Sequence, residues 1–217
     1  DSSTSRGLGD VYKRQPDLET FIDEIRSFTE NSYAPALFKG DRISLEQKNT
    51  VAGQLAQYTG LNKDYWLKSN LRVTGSEYFA EALRSKGLVI GRLDSRYTGI
   101  NQDLISQFGS HDPQSAAISP AYITGFLDYF HNTLGVRKDL QYTVTAGRRE
   151  GFEWDWHHKG NQRWNTQAAI NTAPDMARAL SRDPNMKVLI LNGYYDIATV
   201  FYGVEYTIDH LLSLIHI

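Results

Sequence analysis

The run Lys187-Val188-Leu189-Ile190-Leu191-Asn192-Gly193 constrains the fold more than any other part of the chain. A short unbroken apolar stretch between polar residues fits a strand buried on both faces of a parallel sheet. Both edges of such a strand need partners, because buried backbone N–H and C=O groups must be paired. Few candidates exist: residues 88–93 read as a short strand or an extended turn, and 142–146 alternate as YTVTA. The fold class expected is therefore α/β, represented only in part, with most of the sheet lying outside these 217 residues.

Helical signals dominate the remainder. Leu18, Phe21, Ile22, Ile25 and Phe28 keep the spacing of an amphipathic helix behind Pro16, with Asp17 and Glu19 suited to its first turn. Ser44-Leu45-Glu46-Gln47 has the form of a capping box ahead of Val51, Leu55 and Tyr58, and Gly60 supplies a stop. Asn62 is suited to cap a brief helix bearing Tyr65, Trp66 and Leu67. Thr74-Gly75-Ser76-Glu77 repeats the capping pattern ahead of Phe79 and Leu83, with Gly87 as terminator. The polar stretch 94–113 reads as a long loop, a length uncommon unless functional. Ser119-Pro120 predicts the start of a helix through Ile123, Phe126, Leu127, Phe130 and Leu134 to Gly135, and 165–180 predicts another.

Residues 1–15 are polar and lack any hydrophobic period, while HLLSLIHI stops in mid-pattern. Both ends resemble translated adapter read-through of the kind that flanks reading frames assembled from environmental DNA; the alternative for the first is a disordered natural tail. The division expected is a non-native or disordered tail at 1–15, a helical cap or insertion at 16–140, a partial α/β core at 141–211 and a non-native tail at 212–217. Tails of this kind carry no fold information.

Composition removes several functions. A net charge of −2 with intermixed signs leaves no electrostatic footprint for nucleic acid. The absence of cysteine excludes disulfides, thiolate zinc sites and a cysteine nucleophile. Every apolar stretch falls short of the roughly 20 residues that span a bilayer, so no membrane partner is expected.

Ligand sites in open α/β sheets lie beyond the carboxyl ends of strands. Asn192-Gly193-Tyr194-Tyr195-Asp196 follows the apolar run, so the Asp196 carboxylate is suited to orient a histidine as the acid of a Ser-His-Asp system. An acid in this position also reads as a turn residue, or as an N-cap for a helix starting near Thr199. The segment KVLILNGYYDIATVFYGVEYTIDHL, residues 187–211, resembles the catalytic-acid segment of bacterial members of the serine carboxypeptidase family. LFKGDRISLEQ (37–47), QYTGLNKDYWLKSNLRV (57–73), GRLDSRYTG (91–99) and WDW (154–156) also resemble segments of that family, in the same order. Val200 departs from the family pattern, where many relatives carry proline.

The resemblance implies an α/β-hydrolase, present here as a helical cap plus the acid-bearing strand, that removes C-terminal residues from peptides or proteins without a cofactor. It implies Asp196 as the catalytic acid, a nucleophile upstream and a histidine downstream, and an exported or periplasmic parent. No Gly-x-Ser-x-Gly elbow occurs in the chain, so the chain alone is expected to be inactive. Another α/β-hydrolase activity, such as an esterase or aminopeptidase, and a non-catalytic helical interaction domain are the competing readings.

The remaining candidates are weaker. His157-His158 are adjacent and would face opposite ways on an extended chain, which does not suit a shared metal. Ser110-His111-Asp112 holds the residue types of a triad side by side, whereas a triad converges from separate elements. His131 and His210 read as polar-face residues, and His216 lies in the C-terminal tail. Tyr65, Trp66, Tyr97 and Trp154 read as core, or as the lining of a pocket for an apolar side chain.

Overall fold

A computed structural model describes residues 17–136, 139, 142–145, 147, 151–155 and 171–211. The described chain is a mixed structure, mostly helical, with one small antiparallel sheet of two strands. It forms two compact units: the first comprises residues up to Ala117 together with Asn192–Tyr202, and the second comprises Ile118–Leu191 and the chain from Gly203 onward.

In the first unit, α1 (Leu18–Phe28) starts where the Asp17 carboxylate accepts from Glu19 N at 3.1 Å and from Thr20 Oγ1 at 2.7 Å. A π-helical turn, Thr29–Tyr33, joins it to α2 (Ala34–Lys39). Ser44 caps α3 (Leu45–Thr59) through Gln47 N, and Gly60 closes it at φ +75°, a left-handed conformation that suits glycine. The expected capping box is only half formed there, because Gln47 Oε1 accepts from Lys39 Nζ instead. Asn62 caps α4 (Lys63–Lys68), and the full reciprocal box of Thr74 and Glu77 opens α5 (Gly75–Glu81).

The helices share one apolar core of Phe28, Ala36, Val51, Ala52, Leu55, Leu61, Trp66 and Leu71. After α5 and a 3-10 turn, β1 (Leu88–Ile90) pairs antiparallel with β2 (Thr98–Ile100), with Val89 opposite Gly99. Val89 and Ile90 are completely buried, so this short hairpin is held by burial against the helices as well as by its ladder. The stretch read as a long loop from 94 therefore contains a strand.

α6 (Pro113–Asp128) begins before the predicted start at Ser119. Asp112 is the reason: its Oδ1 accepts from Gln114 N at 3.0 Å and Ser115 N at 3.3 Å, and Pro113 takes the first helical position. Pro120 consequently lies inside the helix, where it has no N–H to offer the Ala116 carbonyl.

In the second unit, α6 passes into a π-helical turn, Tyr129–Thr133, and Gly135 follows at φ +65°. α7 (Ala173–Arg182) represents the helix predicted over 165–180; residues 165–170 lie outside the described residues. The predicted strand 187–192 does not form. Those residues enter no ladder, and Leu189 and Leu191 are 82% and 85% exposed. The physical reason is the one that made the run informative: a strand hydrophobic on both faces gains nothing without neighbours on both edges. α8 (Phe201–Asp209) completes the described chain.

Candidate functional site

Asp196 sits in a tight turn of the first unit. Asp196 N donates to Gly193 O at 3.3 Å, and Asn192 Nδ2 donates to Thr199 O at 3.0 Å. Its Oδ1 accepts from Ala198 N at 2.8 Å and Thr199 N at 3.0 Å, an Asx turn two residues ahead of α8. Oδ2 has no hydrogen-bond partner among the described residues. The carboxylate is thus anchored through one oxygen and open at the other. It does not cap α8 directly, and it does not end a strand in this chain.

The turn is docked on the loop between β1 and β2. Ser95 N donates to Tyr195 O at 2.9 Å and Ile197 N donates to Arg92 O at 3.1 Å, so the backbone on either side of Asp196 is pinned. Arg96 stacks over the Tyr195 ring at 4.5 Å, and Asp94 grips Arg96 through Nε at 2.8 Å and Nη2 at 2.6 Å. The hydrogen bond from Arg96 holds the Asp94 carboxyl below the usual carboxylate range, against a smaller opposing effect of burial. Residues 92–96 and 195–197, about a hundred positions apart in sequence, therefore meet beside Asp196.

Beside the turn lies a cleft of about 380 Å³ with apolar walls of Phe79, Phe108 and Ile197 and with Ser76 and Arg92 on its lining. Two glycines permit its close packing. A Cβ on Gly109 would stand 2.0 Å from Phe79 Cε1 and 2.8 Å from Val89 Cγ2, and one on Gly75 would stand 2.9 Å from Ile197 O. Arg92 is exposed, and its side chain has no hydrogen-bond or ion-pair partner among the described residues.

The other sequence candidates separate widely in role. Ser110 Oγ and His111 Nδ1 are 3.2 Å apart, yet Asp112 turns away to cap α6 and Ser110 Oγ also accepts from Gln102 N, so no triad is assembled. His131 Nδ1 contacts Val136 O at 3.3 Å and His210 Nδ1 contacts Tyr206 O at 2.6 Å, both local contacts. His157, His158 and His216 lie outside the described residues. No cluster of metal-ligating side chains occurs among the described residues.

Of the aromatics read as core or pocket lining, Trp66 is core at 5% exposure, and Tyr65, Tyr97 and Trp154 are absent from the cleft lining. Phe79 and Phe108 fill that role instead. Sequence reasoning assigned no role to Arg92, Arg96 or Phe108; the first two lie in the 91–99 segment that carries part of the resemblance, and Phe108 lies after β2 in the stretch read as a long loop.

No family model, curated protein or solved structure matches this chain. What the geometry defines is a small helical unit with a two-stranded sheet whose inter-strand loop holds a carboxylate-bearing turn.

Proposed function

We propose that this chain is the helical cap and acid-bearing turn of a serine-type carboxypeptidase on an α/β-hydrolase scaffold, with Asp196 as the acid of a Ser-His-Asp triad. The observation that carries the reading is the state of that carboxylate: Oδ1 is tethered by the Ala198 and Thr199 amides, while Oδ2 is unpartnered among the described residues. An orienting acid needs both properties, since it must be fixed in position and still accept the Nδ1–H of an imidazole. Serine and histidine would come from the segments before and after this one, following the chain order that the resemblance implies. The substrate is the C-terminus of a peptide or protein, and no cofactor takes part.

The Asx turn itself favours a second reading, in which Asp196 is only a structural residue of a helical interaction domain. One substitution separates the two. Asn keeps an Oδ1 acceptor and so preserves the turn, but it removes the negative charge that an imidazolium requires. In the uninterrupted enzyme, Asp196→Asn is expected to lower the rate of C-terminal hydrolysis by up to about 10⁴-fold with the melting temperature unchanged. An unchanged rate refutes the catalytic role and leaves the structural one.

A further inference from the structure

We infer that a second concavity of the first unit, between the end of α2, the start of α3 and the chain that follows α4, binds a small phosphate monoester carrying hydroxyl groups. It shares no lining residue with the cleft beside Asp196, and the proposal is independent of the peptidase reading.

Two cations reach this concavity from different elements and converge on one residue. Lys48 Nζ, from α3, donates to Asn70 Oδ1 at 2.6 Å, and Arg72 Nη1 donates to Asn70 O at 3.3 Å. Neither cation meets a carboxylate among the described residues. Like charges drawn to one residue repel, and an anion bound to both removes that repulsion. Each cation keeps donors for it, since an ammonium has three N–H groups and a guanidinium five, and Arg72 spends only one more, on Leu37 O. A doubly charged phosphate matches two such donors better than a single carboxylate does.

The rest of the lining asks for more than a bare anion. Asp41 presents a carboxylate with no hydrogen-bond or ion-pair partner among the described residues. It would repel phosphate alone, but it accepts from a hydroxyl held a few bonds away on the same molecule. Leu37 and Ile43 offer an apolar wall to the carbon chain between the two groups. The volume of about 250 Å³ falls below the roughly 300 Å³ at which drug-sized pockets begin, which suits a three-carbon ester.

The backbone at Asn70 is shaped for a purpose beyond ending α4. One left-handed residue is enough to close a helix. Here two follow in succession, Asn70 at φ +53° and Leu71 at φ +63°, and the second is a residue that rarely adopts this conformation. Surrounding structure holds it there: Leu71 is buried, its N donates to Trp66 O at 2.8 Å, and its O accepts from Tyr33 Oη at 2.6 Å. Backbone strain maintained in this way gathers where a side chain must be aimed. The side chain aimed here is Asn70, whose Nδ2 has no described partner and remains a donor to the ligand.

The test is titration calorimetry on the full 217-residue chain with glycerol 3-phosphate, glycerate, glycerol and inorganic phosphate. Glycerol 3-phosphate is expected to bind, and the other three to bind at least about tenfold more weakly. Lys48→Met and Arg72→Gln should each weaken the ester by about tenfold or more. Asn70→Gly keeps the left-handed backbone and removes the amide, so it should weaken the ester without lowering the melting temperature. Asp41→Asn should weaken the ester while leaving inorganic phosphate unchanged or tighter. Absence of glycerol 3-phosphate binding, equal binding of phosphate or glycerol, or indifference to Lys48→Met each overturns the site. Glycerate binding tighter than the ester overturns phosphate as the anion, and Asp41→Asn weakening inorganic phosphate overturns the hydroxyl contact.

Discussion

The Arg96 guanidinium lies 4.5 Å from the centre of the Tyr195 ring, one residue before Asp196. It is held there by Asp94, whose carboxylate takes Nε and Nη2 together and also accepts from Arg96 N at 3.0 Å. The arrangement couples the inter-strand loop to the acid-bearing turn through a side-chain stack as well as through the two backbone hydrogen bonds at Ser95 and Ile197.

A pH dependence follows from that coupling. The Asp94 carboxyl is depressed in the folded chain, first by its hydrogen bond from Arg96. A depressed acid contributes stability that is present above its unfolded value, about 3.9, and is lost as pH falls through the lower folded value. The protection factors of the Ser95 and Ile197 amides, measured against the intrinsic exchange rate at each pH, are therefore expected to fall on acidification below about pH 4 in the parent chain. In Asp94→Asn the same amides should be less protected already at neutral pH, with protection factors that change less in that window. Identical profiles for the two chains would remove Asp94 from the coupling.

Gly109 is the tightest point of the cleft wall. Alanine there brings a methyl within 2.0 Å of Phe79 Cε1 and 2.8 Å of the fully buried Val89, so either the ring or the loop must move. Gly109→Ala is expected to destabilise the first unit by about 1–3 kcal/mol in urea unfolding, the usual range for overpacking. Phe79→Leu in the same chain should recover part of the loss by shortening the obstructing side chain, a non-additivity that distinguishes a local clash from a general backbone effect.

Local signals in the sequence were decisive where the structure is made by local interactions. Ser44, Asn62 and Thr74 each cap the helix that their position predicts, and Asp17, read as a first-turn residue, is itself the cap of α1; Gly60 closes α3 at a left-handed φ, while Gly87 does the same for the 3-10 turn that follows α5 rather than for α5 itself. The start of α6 was misread because Asp112-Pro113 and Ser119-Pro120 carry the same signal, and the earlier pair wins by bonding two amides. The run 187–192 was misread for a different reason. Its residues state a preference for burial on both faces, while a strand exists only with partners, and partners are not a local property. Asp196 is singled out in the sequence by its place after that run, and the structure holds it in an Asx turn rather than at the end of a strand. The docking of its turn on 92–97, and the cleft lined by Phe79, Arg92 and Phe108, depend on contacts between segments about a hundred residues apart, which no spacing rule encodes.

The capping box at α5 stands at the edge of the cleft, because Gly75 and Ser76 begin that helix. Thr74 N donates to Glu77 Oε2 at 2.7 Å and Glu77 N donates to Thr74 Oγ1 at 3.3 Å; the first of these contacts lowers the Glu77 carboxyl below its ordinary range. Thr74→Ala is expected to cost about 1 kcal/mol. Glu77→Gln keeps an acceptor and should cost less at neutral pH. Because the Glu77 carboxyl is depressed, the difference between Glu77→Gln and the parent should shrink as pH falls through the folded Glu77 value. A constant difference across that window would assign the effect to shape rather than charge.

In the core of the first unit, Trp66 Nε1 donates to Thr59 Oγ1 at 3.1 Å, and that hydroxyl in turn donates to Leu55 O at 2.6 Å. The pair ties the end of α3 to α4 beneath a side chain that is only 5% exposed. Trp66→Phe removes the donor and part of the ring volume, and Thr59→Val removes the acceptor while keeping the shape of the side chain. Thr59→Val leaves a buried indole N–H and the Leu55 carbonyl without this partner, so it is expected to cost about 1–3 kcal/mol. In the double variant the indole N–H is gone, and the cost of the two changes together should fall short of their sum by about 0.5–1.5 kcal/mol. Strict additivity in urea unfolding would mean that the hydrogen bond contributes nothing and that Trp66 holds α4 by packing alone.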